Sequence, residues 1–201
     1  MTGVFIVGNA ALFTDRSGLV DDADFVVRFN VPRTWGAESG TRFDAWVLAN
    51  GRAGRHFARQ ALFLDAPYRD LPREIWFPRA VEVHRELVEA HEGGFVESLA
   101  HDDVSERILR RNRLAQPCLH FGADFYRRCL ACLGEEGGLP DPTMIPSAGF
   151  LAIRHVLEQM PESRLTLIGF TFEGWPGHPW ALEARHVRRL SEAGRLTILP
   201  G

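Results

Sequence analysis

The stretch "GVFIVGNAALF", from Gly3 to Phe13, decides how this sequence is interpreted. A run of four apolar residues, Val4 to Val7, is followed at once by Gly8 and Asn9. An unbroken apolar run that ends at glycine is typical of a buried parallel strand that leads into a ligand pocket. A dinucleotide-binding fold places a G-x-G-x-x-G turn at this point, but those glycines are absent here. The stretch therefore predicts a strand beside a ligand pocket and argues against a dinucleotide.

Similar apolar runs recur along the chain and alternate with helical patterns. The predicted strands are Val4–Val7, Phe25–Arg28, Ala45–Leu48, Ile75–Phe77, Leu165–Ile168 and Leu196–Leu199. The predicted helices lie at about 52–61, 80–98, 103–112, 122–135, 148–160 and 180–193. This alternation predicts an α/β fold with a mostly parallel sheet flanked by helices. No repeat or change of composition divides the chain, so we expect one domain over residues 1–201.

The composition fits an ordinary globular protein and excludes several enzyme classes. The chain has 201 residues, of which 45% are hydrophobic and 24% are charged, and its net charge is -3. This charge balance predicts no nucleic-acid partner and no affinity for anionic membranes. All 23 basic residues are arginine. Because Schiff-base enzymes, pyridoxal-phosphate enzymes and Walker-type phosphate loops need a lysine, those classes are excluded.

The cysteines and the lack of long apolar segments bear on the compartment. Cys118, Cys129 and Cys132 are an odd number, and the last two form a C-x-x-C within a predicted helix. A redox pair or half of a metal site fits this spacing, and so do buried thiols in a reducing cytosol. No apolar stretch approaches the roughly 20 residues that span a bilayer, and no secretory signal is evident. We therefore expect a cytoplasmic protein without an integral membrane segment.

Polar residues follow the first two predicted strands at their carboxyl ends, where ligands of α/β folds bind. Gly8 lets the backbone approach a ligand, and the amide of Asn9 offers both a donor and an acceptor. Arg28 and Asn30 lie two residues apart at the end of the second strand, which predicts that they share a face. The alternative explanations are an asparagine in an ordinary turn and an ion pair between Arg28 and one of the aspartates at positions 21, 22 and 24.

A third candidate element begins in "IPSAGFLAIRHVL", residues 145–157. Ser147 suits the N-cap of a helix, and Ala148 and Gly149 then leave backbone N–H groups open at the helix start. The positive end of the helix dipole makes such a start a natural phosphate site. Many helices begin in this way without a ligand. The helix start therefore supports a ligand site only in combination with the polar residues that follow the first two strands.

Taken in order, these elements resemble the motifs of the sialyltransferase family, metal-independent enzymes that use CMP-sialic acid. The large motif of that family contains Val-Gly-Asn, Asp-(Phe/Val)-Val-x-Arg-x-Asn and Gly-x-(Arg/Lys), and residues 7–9, 24–30 and 40–42 fill those places. Its small motif, Pro-(Ser/Thr)-(Ser/Thr)-Gly-x-Leu-Ala, is matched at residues 146–152. Its very small motif, His-x4-Glu, is matched by a histidine and a glutamate at positions 178 and 183. The resemblance covers residues 4–50 and 146–199.

The resemblance implies a single-domain variant of the nucleotide-sugar glycosyltransferase fold, GT-A-like and Rossmann-type. It also implies that Asn9 and Asn30 hold CMP, a mononucleotide, so that no dinucleotide turn is required. Gly8, Arg28 and the loop 147–149 would complete the donor site. The acceptor would be a carbohydrate, whose contacts would come from the middle of the chain, where no motif is matched.

The sequence departs from the family pattern in two places. Val4 and Met160 stand where the family has the two cysteines of a disulfide, and two apolar residues can pack there instead. The interval "TFEGWPG", residues 171–177, holds no His-Tyr-Tyr-Glu-like motif, although Glu173 and Trp175 can substitute for it in part. The second departure concerns contacts to the donor.

His178 is the candidate general base. It lies between Gly177 and Pro179, in the segment that follows the predicted strand Leu165–Ile168 and just before a predicted helix. The positive end of that helix would lower the pKa of the imidazole and keep it neutral, as a base for an acceptor hydroxyl must be. Glu183, the other catalytic residue of the motif, is expected to orient the helix or the site rather than to transfer a proton.

These features predict an inverting glycosyltransferase that moves sialic acid or a similar acid sugar from a CMP donor to a glycan hydroxyl. The CMP-sugar is the donor substrate, and no separate cofactor is expected. No Asp-x-Asp follows a strand, and no histidine–carboxylate cluster has ligand spacing, so we expect no metal. The alternative function is a CMP- or sugar-binding protein on the same scaffold with weak catalysis or none.

Overall fold

Seven short strands form one sheet in the computed structural model, which describes residues 2–89, 103–139, 141 and 143–201. The strands are β1 Gly3–Val7, β2 Phe25–Phe29, β3 Ala45–Val47, β4 Glu74–Phe77, β5 Cys118–His120, β6 Arg164–Ile168 and β7 Leu196–Ile198. Their order across the sheet is β5-β4-β3-β2-β1-β6-β7, and each neighbouring pair is parallel. The predicted α/β fold with a parallel sheet is confirmed.

Helices connect these strands. They are α1 Ser17–Asp21, α2 Gly54–Arg59, α3 Val81–Glu89, α4 Ser105–Asn112, α5 Ala123–Glu135, α6 Ala148–Gln159 and α7 Trp180–Glu192. Five of the predicted helices are present with ends shifted by at most two residues, which is the usual uncertainty of a helix boundary. The predicted helix at 80–98 corresponds to α3 as far as Glu89, and its remainder lies outside the described residues. The short elements α1 and β5 were not predicted.

Side chains of the sheet alternate between its two faces and belong to three apolar clusters among the described residues, the third of which includes Val7, Val26 and Ile168. Val27 and Trp76 belong to the cluster that packs against α5, α6 and α7. Trp46 and Phe77 belong to the cluster that packs against α2 and α4. Helices therefore cover both faces of the central strands, which explains why those strands are continuous apolar runs in the sequence.

The two positions that carry cysteines in the sialyltransferase family hold apolar residues of one cluster here. Val4 is fully buried in that cluster, and Met160 packs against it. Cys118, Cys129 and Cys132 are all free thiols. Burial raises the pKa of the Cys129 thiol to about 12, so this sulfur stays protonated, whereas reactive thiols have a lowered pKa.

Strand β1 marks the point where the chain changes direction across the sheet. Strands β2 to β5 extend from one side of β1, and β6 and β7 extend from the other. In open parallel sheets, ligands bind in the crevice outside the carboxyl ends of the strands at such a point. The candidate residues that follow β1, β2 and β6 therefore lie at the place where this fold holds a ligand.

Gly8 allows the ends of β1 and β6 to approach each other. Its N–H donates to the carbonyl of Ile168 at 2.8 Å. A Cβ atom at position 8 would lie 2.1 Å from the carbonyl oxygen of Gly169, which no side chain could accommodate without a shift of the backbone.

Among the described residues, no helix is long and apolar enough to cross a membrane.

Candidate functional site

A cleft of about 840 Å³ opens at the carboxyl ends of β1, β2 and β6. Seven of the nine predicted site residues line it: Gly8, Asn9, Asn30, Ser147, Ala148, Gly149 and His178. Arg28 and Glu183 are not among its lining residues. The structure therefore brings together residues that are separated by up to 170 positions in the sequence.

The amide of Asn9 links the ends of the first two strands. Its Nδ2 donates to the carbonyl of Phe29 at 3.1 Å, and its Oδ1 accepts from the backbone N–H of Arg33 at 3.2 Å. An asparagine amide has two N–H donors and two acceptor lone pairs, so one of each remains for a ligand. Asn9 both shapes the loop after β2 and lines the cleft.

Asn30 has a left-handed backbone conformation, with a φ of 46°. Asparagine tolerates this region better than most residues. Its Oδ1 accepts from the N–H of Ala49 at 3.0 Å, and its carbonyl accepts from Nε1 of Trp46 at 2.7 Å. Its Nδ2 has no hydrogen-bond partner among the described residues, which leaves two N–H donors at the cleft.

Arg28 lies beneath the site and not in it. Its side chain is 1% exposed, and its guanidinium donates to the backbone carbonyls of residues 39, 40 and 42 at distances from 2.6 to 3.1 Å. Burial lowers its pKa to about 10, which still leaves the group charged. Strand β2 ends at Phe29, so the alternation of side chains that predicts a shared face for Arg28 and Asn30 does not extend to Asn30, whose φ is positive. The expected donor contact of Arg28 is therefore corrected to support of the loop 39–42.

The start of α6 presents open backbone donors to the cleft. Ser147 is the N-cap, as predicted, and its Oγ accepts from the N–H of Phe150 at 3.0 Å. The N–H groups of Ala148 and Gly149 donate to no group among the described residues. A Cβ atom at position 149 would lie 3.0 Å from the ring of Phe170, so glycine keeps this end of the helix open. The helix dipole adds partial positive charge at the same place.

Glu183 is buried behind the N-cap of α6. It is 0% exposed, its Oε1 accepts from the Ser147 N–H at 2.7 Å, and its Oε2 accepts from the Ser147 hydroxyl at 2.6 Å. Burial raises the pKa of Glu183 to about 7, although the two hydrogen bonds from Ser147 act in the opposite direction. Its carboxyl group does not line the cleft, as direct participation in catalysis would require. That Glu183 orients the helix or the site stays a prediction.

His178 lines the cleft with a fixed tautomer. Its Nδ1 lies 2.8 Å from the carbonyl oxygen of Ile145, and a carbonyl can only accept, so Nδ1 carries the proton. Nε2 then carries the lone pair. The ring lies between Trp175 and Trp180, with centroid distances of 4.9 Å to each. The backbone N–H of Ile145 also donates to the carbonyl of Gly177 at 3.0 Å, which ties the same two segments together.

The electrostatic environment keeps this imidazole neutral. Burial lowers the pKa of His178 to about 4, the positive charge of Arg79 acts in the same direction, and the bond to Ile145 opposes both. We expected the N-terminus of the following helix to be the cause. That helix, α7, begins at Trp180, and the main cause is burial between aromatic rings. The expected neutral form is the form that a general base needs.

Several lining residues were not predicted from the sequence. Arg33, Phe57, Phe172 and Trp180 all line the cleft. Arg33 follows Asn30 by three positions in the same loop, so the rule that ligands bind after strands could have found it. Glu173, considered as a partial substitute for the missing family motif, lines the cleft as well.

Among the residues that the structure describes, no group of three or more His, Cys, Asp or Glu side chains is arranged to hold a metal ion. Metal independence stays a prediction.

Comparison with known proteins gives a fold and one named relative. No protein family model matches the chain. The urease operon 23 kDa accessory protein of Rhizobium meliloti (strain 1021) is 26% identical over 213 residues, which cover 98% of this chain and 92% of that protein. A crystal structure of a mammalian sialyltransferase is similar with a TM-score of 0.62 and 15% identity, over 100% of this chain and 69% of that one. This likeness shows the fold: the chain has an α/β Rossmann-like architecture similar to that of a glycosyltransferase structure.

Proposed function

We propose that the protein is an inverting glycosyltransferase that moves sialic acid or a similar acid sugar from a CMP donor to a carbohydrate hydroxyl. The observation that carries the proposal is that His178 and the open N-terminus of α6 line one cleft. The first offers a neutral base, and the second offers donors for an anion. Transfer of a sugar from a nucleoside monophosphate needs both functions in one place.

Contacts to the donor come from the ends of β1 and β2 and from α6. The amides of Asn9 and Asn30 can hydrogen-bond the cytosine edge or the ribose hydroxyls without any charge. The N–H groups of Ala148 and Gly149 suit the phosphate, and the guanidinium of Arg33 adds a full positive charge to the cleft. A mononucleotide needs no pyrophosphate turn, which accounts for the absent glycine fingerprint.

The chemical step uses one base and one set of anion donors. Nε2 of His178 takes the proton of the acceptor hydroxyl as its oxygen bonds to the anomeric carbon. The bond from that carbon to the CMP phosphate breaks on the opposite side, and CMP leaves with the electron pair. Negative charge that develops on the departing phosphate is met by the N–H donors of Ala148 and Gly149. Attack opposite the leaving group inverts the anomeric configuration.

A second candidate function is a CMP- or sugar-binding protein that does not catalyse transfer. Two observations favour it. Residues 171–177 lack the His-Tyr-Tyr-Glu-like motif, and the similar protein of Rhizobium meliloti is named an accessory protein. This candidate uses the same cleft and the same asparagines, and it differs only in the fate of the bound donor.

Calorimetry with CMP, CDP, UDP, GDP and NAD tests the nucleotide first. Selective binding of CMP or CDP supports both candidates, and a preference for UDP or NAD overturns both. Release of CMP from CMP-sialic acid, with and without a carbohydrate acceptor, then separates the transferase from the binding protein. CMP release above the spontaneous rate supports the enzyme, and tight binding without release supports the second candidate.

A further inference from the structure

Helices α2 and α4 lie side by side and enclose a surface groove with arginine walls. We call this feature the arginine groove. Its walls are Arg55, Arg59, Arg107, Arg110, Arg111 and Arg113. Its floor is formed by Ala58, Ala61 and Leu64. The groove as a whole comprises two adjoining pockets of about 220 and 580 Å³, which share Ala58 and Arg107.

A buried asparagine holds the two helices of the groove together. Asn112 is 0% exposed, and its Nδ2 donates to the carbonyls of Phe57 and Ile108, both at 3.0 Å. Its Oδ1 accepts from the N–H of Phe63 at 2.9 Å. The side chains of Phe57, Phe63 and Ile108 also belong to one apolar cluster. The two helices that carry the groove arginines are therefore held in a fixed arrangement.

Positive charge predominates in the groove, because the described residues that line its two pockets include six arginines and no carboxylate. Arg59, Arg110, Arg111 and Arg113 form no ion pair with a carboxylate among the described residues, and α4 itself carries one carboxylate, Glu106. The net charge of -3 predicts no general affinity for polyanions, but that average hides this local excess of positive charge. Guanidinium groups bind phosphate in a bidentate manner, so a row of them favours a ligand with several phosphate groups.

The groove borders the cleft through helix α2. Phe57 lines the cleft, whereas Arg55, Ala58 and Arg59 on the other side of the same helix line the groove. The middle of the chain, from which we expected the acceptor contacts, supplies both helices. Two adjoining pockets suit separate anionic groups along one chain.

We propose that the arginine groove binds phosphate groups of an anionic carbohydrate acceptor whose free hydroxyl reaches His178. This inference rests on the proposed function, because only a transferase has an acceptor. It adds the substrate class: the acceptor carries phosphate groups on the side that faces α4. An apolar floor beneath the guanidinium groups lets the carbon skeleton of the sugar pack while its phosphates pair with the walls.

Binding of inositol hexakisphosphate, measured by calorimetry, tests the groove without reference to catalysis. The triple variant Arg59→Gln, Arg110→Gln, Arg111→Gln should bind it at least about tenfold more weakly, because three charge-assisted contacts are lost. The control variant Arg188→Gln, Arg195→Gln changes two exposed arginines on other elements and should bind within about twofold of the wild type. Circular dichroism checks that each variant folds, and myo-inositol serves as the uncharged match.

Equal binding by the wild type and the triple variant would overturn the proposal, as would an absence of binding to both. Vesicles that contain phosphatidylglycerol form a second arm. Loss of vesicle binding in the triple variant, without any binding of inositol hexakisphosphate to the wild type, would assign the groove to a membrane surface and would overturn the acceptor proposal.

Transfer to a phosphorylated oligosaccharide, and to the same oligosaccharide after phosphatase treatment, tests the acceptor role. The triple variant should raise KM for the phosphorylated acceptor at least about tenfold and leave the affinity for CMP as it is, because the groove lies on the far side of α2. A KM that does not change would overturn the acceptor role. CMP binding by the wild type is measured separately. A failure of the proposed function, seen as a lack of CMP binding, can therefore be distinguished from a failure of the groove to bind phosphate groups.

Discussion

Glu183 accepts two hydrogen bonds from Ser147, one from its N–H at 2.7 Å and one from its hydroxyl at 2.6 Å. This contact joins the first turn of α7 to the N-cap of α6. His178 lies two residues before the start of α7, and Ala148 and Gly149, whose N–H groups are open, begin α6. One buried carboxyl group therefore fixes the spacing between the candidate base and the candidate phosphate site.

Stability should depend on pH through Glu183. Burial raises the pKa of its carboxyl group to about 7 in the folded chain, whereas an unfolded glutamate has a pKa of about 4.3. Between these values the folded state binds more protons than the unfolded state, so stability should fall as pH rises through that window. In the Glu183→Gln variant this contribution is absent. Urea unfolding of the wild type and of Glu183→Gln at several pH values should show that the difference between their free energies of unfolding shrinks as pH rises from about 4.5 to 7.

A matched control for this measurement is Glu192→Gln, which changes an exposed glutamate of the same helix. Its unfolding free energy should differ from that of the wild type by less than about 0.5 kcal/mol. A difference between wild type and Glu183→Gln that stays constant over this pH range would contradict the raised pKa.

Gly8 should tolerate no side chain. In the Gly8→Ala variant the new Cβ would lie 2.1 Å from the carbonyl oxygen of Gly169, so the ends of β1 and β6 must separate. We expect a loss of roughly 1–3 kcal/mol or more in the free energy of unfolding, as for other overpacked sites. Gly18→Ala is the control, because nothing lies within 4 Å of its added Cβ and it lies in helix α1. Equal stability of the two variants would show that the strand ends are not closely packed.

Strands could be predicted from the sequence where burial on both faces produces an unbroken apolar run. This holds for β1 to β4 and β6, whereas β7 lies at one edge of the sheet with two exposed residues and was predicted from the short apolar run Leu196–Leu199 alone. Strand β5, Cys118–His120, was missed because it lies at the edge of the sheet and its residues are exposed or half-buried. An edge strand needs no continuous apolar run, so local pattern does not reveal it.

The candidate site could be predicted where residues directly follow strands. Asn9 and Asn30 line the cleft as the rule for parallel sheets requires. Arg28 was misplaced because the alternation of side chains along a strand stops where the strand stops, at Phe29. Phe57 reaches the cleft from α2 through packing of the whole helix, which no nearby sequence pattern encodes.

Both asparagines should contribute to CMP binding and to stability. Asn30→Gly keeps a residue that adopts the observed φ of 46°, but it removes the amide whose Oδ1 accepts from the N–H of Ala49, so stability should fall. CMP binding should weaken by about 1–3 kcal/mol, because polar groups of the ligand lose their partner. Asn9→Ala should weaken CMP binding by a similar factor and should also lower stability, because it leaves the carbonyl of Phe29 and the N–H of Arg33 without a partner. Calorimetry and urea unfolding measure the two effects separately.

Gln60→Ala, which removes an exposed amide after α2, is the control for both asparagine variants and should change neither property. Unchanged CMP affinity in Asn30→Gly would remove this asparagine from the donor site.

The pH dependence of transfer should reflect the lowered pKa of His178. Because burial holds this pKa near about 4 rather than 6.5, the imidazole stays neutral and able to accept a proton well below pH 6. With respect to this group, kcat/KM should be constant from about pH 8 down to about pH 5 and should decrease below about pH 4. Circular dichroism at each pH separates loss of the base from acid unfolding. A half-maximal rate near pH 6.5 would contradict the buried environment of the ring.

His178→Asn is the variant that isolates the base. The asparagine Nδ2 occupies nearly the place of the imidazole Nδ1, so the 2.8 Å hydrogen bond to the carbonyl of Ile145 can be kept while Nε2 is removed. If Nε2 accepts the proton of the acceptor hydroxyl, turnover should fall by roughly 10²-fold or more, the usual scale for loss of a general base. CMP affinity should stay within about twofold, because the donor is held by the asparagines and by the start of α6. His56→Asn, at an exposed position of α2, should have no effect on turnover. Full activity in His178→Asn would contradict the assignment of His178 as the base. Loss of CMP binding in His178→Asn, while Asn30→Gly retains CMP binding, would exchange the two assignments, because His178 would then be the donor contact.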